Sequence, residues 1–429
     1  MAGGKGTRLT EVTKNKVPKP MVDILGKPLL ERQIEVLKAN GITDIIFVIG
    51  FLGNVIREHF GDGTRVGIHA EYIEEKEPLG TAGAFFYLRE KIKDEPFFLV
   101  FGDVLFDIDL ARMTDFHKKN DSLATLFVHP NSHPFDSDLV QADKNGRIIG
   151  FDSKNNIRDY WYKNCVNAGL YILNPEILSL VSAPVKTDLE KDILAKLIAE
   201  KKNIFGYKSP EYIKDVGTVE RIKSAKKDLE SHFIEKRCLK NRQKCIFLDR
   251  DGTVNIYKGL ISKLEEFELE EGVVDAVRKI NSSEYLCVVV TNQPVVARGL
   301  CTIEDVERIH KKMETLLGKE GAYLDDVLFC PHHPDRGYPE ENPAYKIKCQ
   351  CRKPDMGMLL EAAEKYNIDL SASWIVGDTT LDIQTGVNAG THTALVLTGE
   401  AGKDGKYKAE PEITAKTLLE AVEKILGEK

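Results

Sequence analysis

The chain has 429 residues, 42% of them hydrophobic and 30% charged, enough for two or three domains with substantial cores. Its net charge of −7 argues against a general nucleic-acid binder, so an anionic substrate calls for local cations or metal ions. No apolar run approaches the ~20 residues that span a bilayer. The first residues read as glycines and charges, not as a signal peptide, and eight cysteines are too few for a disulfide scaffold, so a reducing, cytoplasmic setting without a membrane partner is expected.

In chain order, 45–50, 97–103 and 123–128 are strand-like apolar runs. Before the first of these runs, 28–40 places Leu29, Leu30, Ile34 and Leu37 at helical spacing, with Gly41 as a C-cap. Such alternation predicts a mainly parallel sheet covered by helices. The stretch 221–244 is charged and helix-forming, and reads as a final helix running into a linker. A second series then starts, with strands expected at 245–249, 286–291, 327–330, 374–377 and 393–397 and a short amphipathic helix at 417–426. The expected domains are 1–225 and 244–429, joined by a linker at 226–243. Both belong to the α/β class.

The strand at 245–249 runs into Asp249-Arg-Asp251-Gly252-Thr. Alternation along an extended backbone points both carboxylates one way, and Gly252 lets the chain turn. Two such carboxylates can hold a hard cation, while one attacks phosphorus and the other moves a proton. Three further pieces follow: Thr291-Asn292-Gln293 at a strand end, Arg352-Lys353-Pro354 before a helix, and Val376-Gly377-Asp378 with Asp382 beyond. Open parallel sheets bind ligands at the carboxyl ends of their strands, so a hydroxyl, a cation and a third carboxylate should converge on the first pair. Cys330-Pro-His332-His-Pro and Cys349-Gln-Cys351 offer two tight pairs of ligands suited to a tetrahedral structural Zn²⁺, with His332 or His333 as the imidazole. Cys165, Cys238, Cys245, Cys287 and Cys301 carry no such pattern.

This order of motifs resembles the haloacid-dehalogenase-like phosphatases. The resemblance implies Asp249 as nucleophile, Asp251 as general acid and base, and Thr291 and Lys353 on the phosphoryl oxygens. It also implies Mg²⁺ held by Asp249, Asp378 and the backbone carbonyl of Asp251, with Asp382 in support. With the zinc loop, the wording is similar to the D-glycero-D-manno-heptose 1,7-bisphosphate phosphatases and the histidinol-phosphate phosphatases. Asn292, Arg298 and Arg352 would then contact substrate. That family continues Thr-Asn-Gln with Ser-Gly, whereas Pro294-Val295-Val296 stands here before Ala297-Arg298-Gly299.

The chain opens Met-Ala-Gly3-Gly4-Lys5-Gly6-Thr-Arg8, a loop whose backbone N–H groups and two cations suit phosphates. Val17-Pro-Lys19-Pro-Met, Pro78-Leu-Gly80-Thr-Ala-Gly-Ala, Phe101-Gly-Asp103, Asn167-Ala-Gly169 and Asp215-Val-Gly-Thr218 follow. Together they resemble the sugar-1-phosphate nucleotidyltransferases, with a Rossmann-like fold. The resemblance implies that a sugar phosphate oxygen attacks the α-phosphorus of a nucleoside triphosphate, a reaction that needs charge neutralisation more than covalent help. Arg8 and Gly3, Gly4 and Gly6 would hold the triphosphate, Lys19 the attacked phosphate and Gly80 the base. Asp103 and Asp215 would hold a second Mg²⁺, and Lys154 would grip the sugar phosphate, although Ser153 and Asn155 replace its usual neighbours. Such domains carry about six apolar strand residues before the loop, and only Met1 stands here.

Both activities fit one pathway. The expectation is a bifunctional enzyme that removes the 7-phosphate of heptose 1,7-bisphosphate and transfers GMP from GTP to heptose 1-phosphate, for surface-polysaccharide synthesis. The alternatives are a histidinol-phosphate phosphatase, a GDP-mannose or dTDP-glucose type of transferase, and an active phosphatase with a sugar-nucleotide-binding module that does not catalyse. Oligomeric state is left open.

Overall fold

The computed structural model describes residues 1–3, 13, 16–337 and 339–427. The chain forms two compact units. The first comprises Met1–His129, Asp138–Asp152 and Asn167–Lys240; the second comprises Pro130–Ser137, Ser153–Val166 and Asn241–Lys429.

In the first unit, α1 (Leu29–Ala39) buries Leu29, Leu30, Ile34 and Leu37, and Gly41 follows with φ +81°. Strands β1 (Asp44–Ile49) and β2 (His69–Glu74) pair in parallel. The larger sheet contains β3 (Phe97–Val100), β4 (Ala124–His129), β5 (Leu139–Ala142), β6 (Ile148–Asp152), β7 (Val166–Leu173) and β8 (Ile204–Lys208). Here β8 pairs with β4 in parallel, whereas β7 with β3 and β5 with β6 are antiparallel, so this unit mixes both pairings. The run expected to reach residue 103 ends as a strand at Val100, with one further bond from the Phe101 N–H to Gly169 O at 2.9 Å. A Cβ on Gly102 would meet Pro20 Cγ at 2.9 Å and Met1 O at 3.0 Å, so the chain bends where another backbone crowds it. Ala2 donates its N–H to Val48 O and Met1 O accepts the Gly102 N–H, both at 2.8 Å, so these two residues lie between β1 and the end of β3. The stretch expected as a linker is packed into this unit as far as Lys240. A helix covers Val219–Glu230, and Arg237, Cys238 and Leu239 are buried.

The second unit has one six-stranded sheet, parallel throughout its pairs. Its strands are β9 (Lys244–Leu248), β10 (Tyr285–Asn292), β11 (Asp326–Cys330), β12 (Trp374–Gly377), β13 (His392–Val396) and β14 (Ile413–Ala415), in the spatial order β11-β10-β9-β12-β13-β14. The first strand in sequence is central, and the chain winds away from it in both directions. The switch point therefore lies between β9 and β12, where ligands bind in open α/β sheets. Both faces are covered, which is why these strands are near-continuous Val, Ile and Leu. Ile246, Leu248, Val289 and Val376 all belong to the core.

Helix α2 (Ile303–Lys319) carries a capping box between Thr302 and Asp305. Its buried Thr315 hydroxyl accepts the Tyr162 N–H at 2.9 Å, and Glu314 Oε2 accepts the Asn164 N–H at 3.1 Å. Residues 153–166 thus pack as part of the second unit.

Candidate active sites

In the second unit, Asp249 follows β9, Thr291 is the last residue but one of β10 and Asp378 follows β12. The carboxylates of Asp249, Asp378 and Asp382 offer oxygens within 4.8 Å of one another, all buried. Lys353 Nζ donates to Asp249 Oδ1 at 2.7 Å and to Asp382 Oδ1 at 2.6 Å. Burial alone would lower the Lys353 pKa, but these two carboxylates raise it instead. Asp249 and Asp378 are pushed well up, first by burial and then by neighbouring carboxylates that Lys353 only partly offsets. Three buried carboxylates against one ammonium leave an excess negative charge that a bound cation relieves. Asp378 Oδ1 has no hydrogen-bond partner, which leaves it open to a cation, while Oδ2 accepts the Glu400 N–H at 2.7 Å. Gly252, at φ +83°, leaves the space: a Cβ there would lie 2.3 Å from Asp378 Oδ2.

The Asp251 carboxylate is not in this cluster. It accepts from Arg250, from Gln293 Nε2 at 2.8 Å and from Asn255 Nδ2 at 3.2 Å. Gln293 Nε2 also donates to Thr291 Oγ1 at 2.9 Å. Asn292, expected at substrate, spends both side-chain amide atoms on the backbone of Lys353. Asp382 likewise supports: Oδ1 takes Lys353, while Oδ2 accepts from the Thr379 N–H and hydroxyl.

Cys330, His332, Cys349 and Cys351 bring their ligand atoms together. Cys330 Sγ lies 3.5 Å from Cys349 Sγ and 3.2 Å from Cys351 Sγ, and His332 Nδ1 lies 3.4 Å from Cys351 Sγ. Such edges approach the roughly 3.5–3.8 Å of a tetrahedron built on Zn–S and Zn–N bonds. The imidazole in the cluster is His332; His333 Nδ1 instead accepts the Asp335 N–H at 3.2 Å. Arg352 donates from Nη1 to His332 O at 3.1 Å. Burial and the charges of Arg352, Arg298 and Lys346 hold the His333 pKa down, which places several cations beside this loop. After Gln293, Ala297 is bonded to this loop: Asn342 N donates to Ala297 O at 3.0 Å.

In the first unit, Lys19 Nζ lies 2.5 Å from Asp103 Oδ2 and 3.5 Å from Asp215 Oδ1. Asp215 also pairs with Arg221, which the motif reading missed because a helical arginine six residues away carries no local signal. A Cβ on Gly217 would meet Asp215 Oδ1 at 2.7 Å and Lys19 Nζ at 3.0 Å, so glycine permits this approach. Gly80, at φ +80°, packs where a Cβ would be 2.5 Å from Thr187 O. Gly3 faces Glu75 and the backbone of Gly50. Asn167 Nδ2 donates to Tyr171 OH at 2.6 Å and to Glu190 Oε1 at 2.8 Å, a polar cluster otherwise unread in the sequence. Lys154 belongs to the second unit and pairs with Asp136 at 3.7 Å. Gly4, Lys5, Gly6 and Arg8 lie outside the described residues.

Among the described residues, no helix is long and apolar enough to cross a membrane. Residues 1–232 match the nucleotidyl transferase family, and residues 350–421 match the HAD-hydrolase-like family. The D-glycero-β-D-manno-heptose-1,7-bisphosphate 7-phosphatase of Yersinia pestis is 42% identical over 156 residues, which are 36% of this chain and 81% of that protein. Its Haemophilus ducreyi counterpart is 39% identical over 171 residues, 39% of this chain and 91% of that protein. Among solved structures, HddC from Yersinia pseudotuberculosis is 26% identical, with a TM-score of 0.46, over 53% of this chain and 96% of that one. The chain therefore belongs to the nucleotidyl transferase family through its first 232 residues, and to the family of D-glycero-β-D-manno-heptose-1,7-bisphosphate 7-phosphatases through its C-terminal part.

Proposed function

We propose that the chain removes the 7-phosphate of D-glycero-D-manno-heptose 1,7-bisphosphate and transfers a nucleotidyl group, GMP from GTP, to the resulting heptose 1-phosphate in the cytoplasm. The observation that carries the phosphatase reading is the buried cluster of Asp249, Lys353, Asp378 and Asp382. Asp249 attacks phosphorus, the bond to the sugar oxygen breaks, and Asp251 gives that oxygen its proton. Asp251 then takes a proton from the water that hydrolyses the aspartyl phosphate, returning Asp249. Lys353 and Thr291 steady the phosphoryl oxygens. Asp249, Asp378 and the Asp251 carbonyl would hold a Mg²⁺, which would supply charge neutralisation. The cysteine and histidine cluster suits a structural Zn²⁺, and the cations beside it, Arg298 and Arg352, suit the second phosphate of a bisphosphate.

In the first unit, Lys19 between Asp103 and Asp215 supports nucleotidyl transfer. Lys19 steadies the attacked α-phosphate, and the two carboxylates suit a Mg²⁺ that neutralises the triphosphate when bound. A substrate panel tests the whole reading. Phosphate release is followed with each heptose bisphosphate anomer and with histidinol phosphate, and pyrophosphate release with sugar 1-phosphates and each nucleoside triphosphate. Preference for histidinol phosphate, or for ATP or dTTP over GTP, would overturn the corresponding assignment.

A further inference from the structure

Arg250 separates the two aspartates of the phosphatase motif, and its side chain is fully buried. A buried guanidinium must be paired, and here its partners are specific. Nε donates to Asp251 Oδ1 at 3.2 Å, and Nη2 donates to Oδ1 at 2.9 Å and Oδ2 at 3.0 Å. This fork fixes the plane of the carboxylate as well as its charge. The third nitrogen, Nη1, lies 3.2 Å from His310 Nε2 on α2. Arg250 is a donor only, so His310 meets it as the neutral acceptor. Burial first, then the charges of Arg250 and Lys163, keep that imidazole unprotonated. The ring is itself wedged edge-on against Phe329, with centroids 5.2 Å apart. One turn further along α2, Glu314 and Thr315 are hydrogen-bonded by Asn164 and Tyr162, which holds the helix that carries His310.

We infer that Arg250 is a positioning residue for Asp251, holding its carboxylate against Gln293 and Asn255, and that His310 fixes Arg250 in turn. This deepens the phosphatase reading and rests on Asp251 being its acid and base. Proton transfer depends steeply on placement, so loss of the fork should lower turnover more than substrate binding.

The test measures kcat and KM for heptose 1,7-bisphosphate with the full chain and the variants Asp251→Asn, Arg250→Met, His310→Leu and His310→Gln. Arg250→Met should lower kcat about 10- to 100-fold with KM changed less than about threefold. His310→Leu removes the acceptor for Nη1 and should lower kcat at least about threefold, while His310→Gln restores an acceptor and stays within about twofold. If Arg250→Met fails to fold, the His310 pair still decides. Full kcat in Arg250→Met and His310→Leu, or an equal loss in both His310 variants, would overturn the inference while an inactive Asp251→Asn keeps the phosphatase reading. Full activity of Asp251→Asn would instead sink that reading.

Discussion

Asn292 brackets the backbone of Lys353: its Oδ1 accepts the Lys353 N–H at 3.0 Å and its Nδ2 donates to the Lys353 carbonyl at 3.1 Å. Lys353 enters the site from a loop, and this pair of hydrogen bonds fixes where its ammonium can reach. Asn292→Ala should therefore lower phosphate release about 10- to 100-fold, as loss of a supporting contact does, with zinc content unchanged. Asn292→Asp, which keeps the acceptor and loses the donor, should fall between. Wild-type turnover in Asn292→Ala would show that Lys353 is held without it.

Gly217 gives the matching test in the first unit. In Gly217→Ala the new methyl would push against Asp215 Oδ1 and Lys19 Nζ, at 2.7 and 3.0 Å. Nucleotidyl transfer should drop at least about tenfold, since alignment of charges governs such steps. Phosphate release by the other unit should be unchanged. Asp103→Ala should act in the same direction.

Removal of zinc should act on stability. Cys349→Ser breaks the four-ligand set, and the purified protein should lose its roughly one Zn²⁺ per chain together with several degrees of phosphatase melting temperature. Nucleotide binding should survive. A metal-free wild-type protein with full phosphatase stability would contradict the zinc assignment.

Strand ends were the legible part of the molecule. Asp249, Thr291 and Asp378 stand at or just after the ends of apolar runs, so their convergence follows from a parallel sheet. What the sequence did not carry is side-chain direction set by distant partners. Alternation aimed Asp251 with Asp249, yet its carboxylate is held by Arg250, Gln293 and Asn255 and stands outside the cluster of Asp249, Asp378 and Asp382. Asn292 read as a substrate contact because nothing local marks a bond to a residue 61 positions away. Adjacent His332 and His333 could be separated only by the loop's three-dimensional path. The charged stretch before Asn241 read as a helix running into a linker, but Glu211 Oε1 accepts the Leu239 N–H at 2.9 Å and draws it into the first unit.

Glu211 also predicts a pH effect. Burial raises its pKa from 4.5 to about 7, against hydrogen bonds from Asp109, Leu239 and Ser209. With a raised acid, the folded state binds more protons than the unfolded one. Stability of the first unit should fall as pH climbs from about 4.5 to about 7, by on the order of 3 kcal/mol at the limit. Glu211→Gln should flatten that slope in denaturant titrations across this range. An unchanged slope would remove Glu211 as its cause.

Two separate activities carried by one chain and acting in sequence are separable in a single assay. Wild type and Asp249→Asn are each given Mg²⁺, GTP and either heptose 1,7-bisphosphate or heptose 1-phosphate, and nucleotide-sugar is measured. Wild type should form it from both sugars. Asp249→Asn, which cannot form the aspartyl phosphate, should form it from heptose 1-phosphate alone. Nucleotide-sugar from the bisphosphate with Asp249→Asn, or none from heptose 1-phosphate with either protein, would contradict two activities acting in that order.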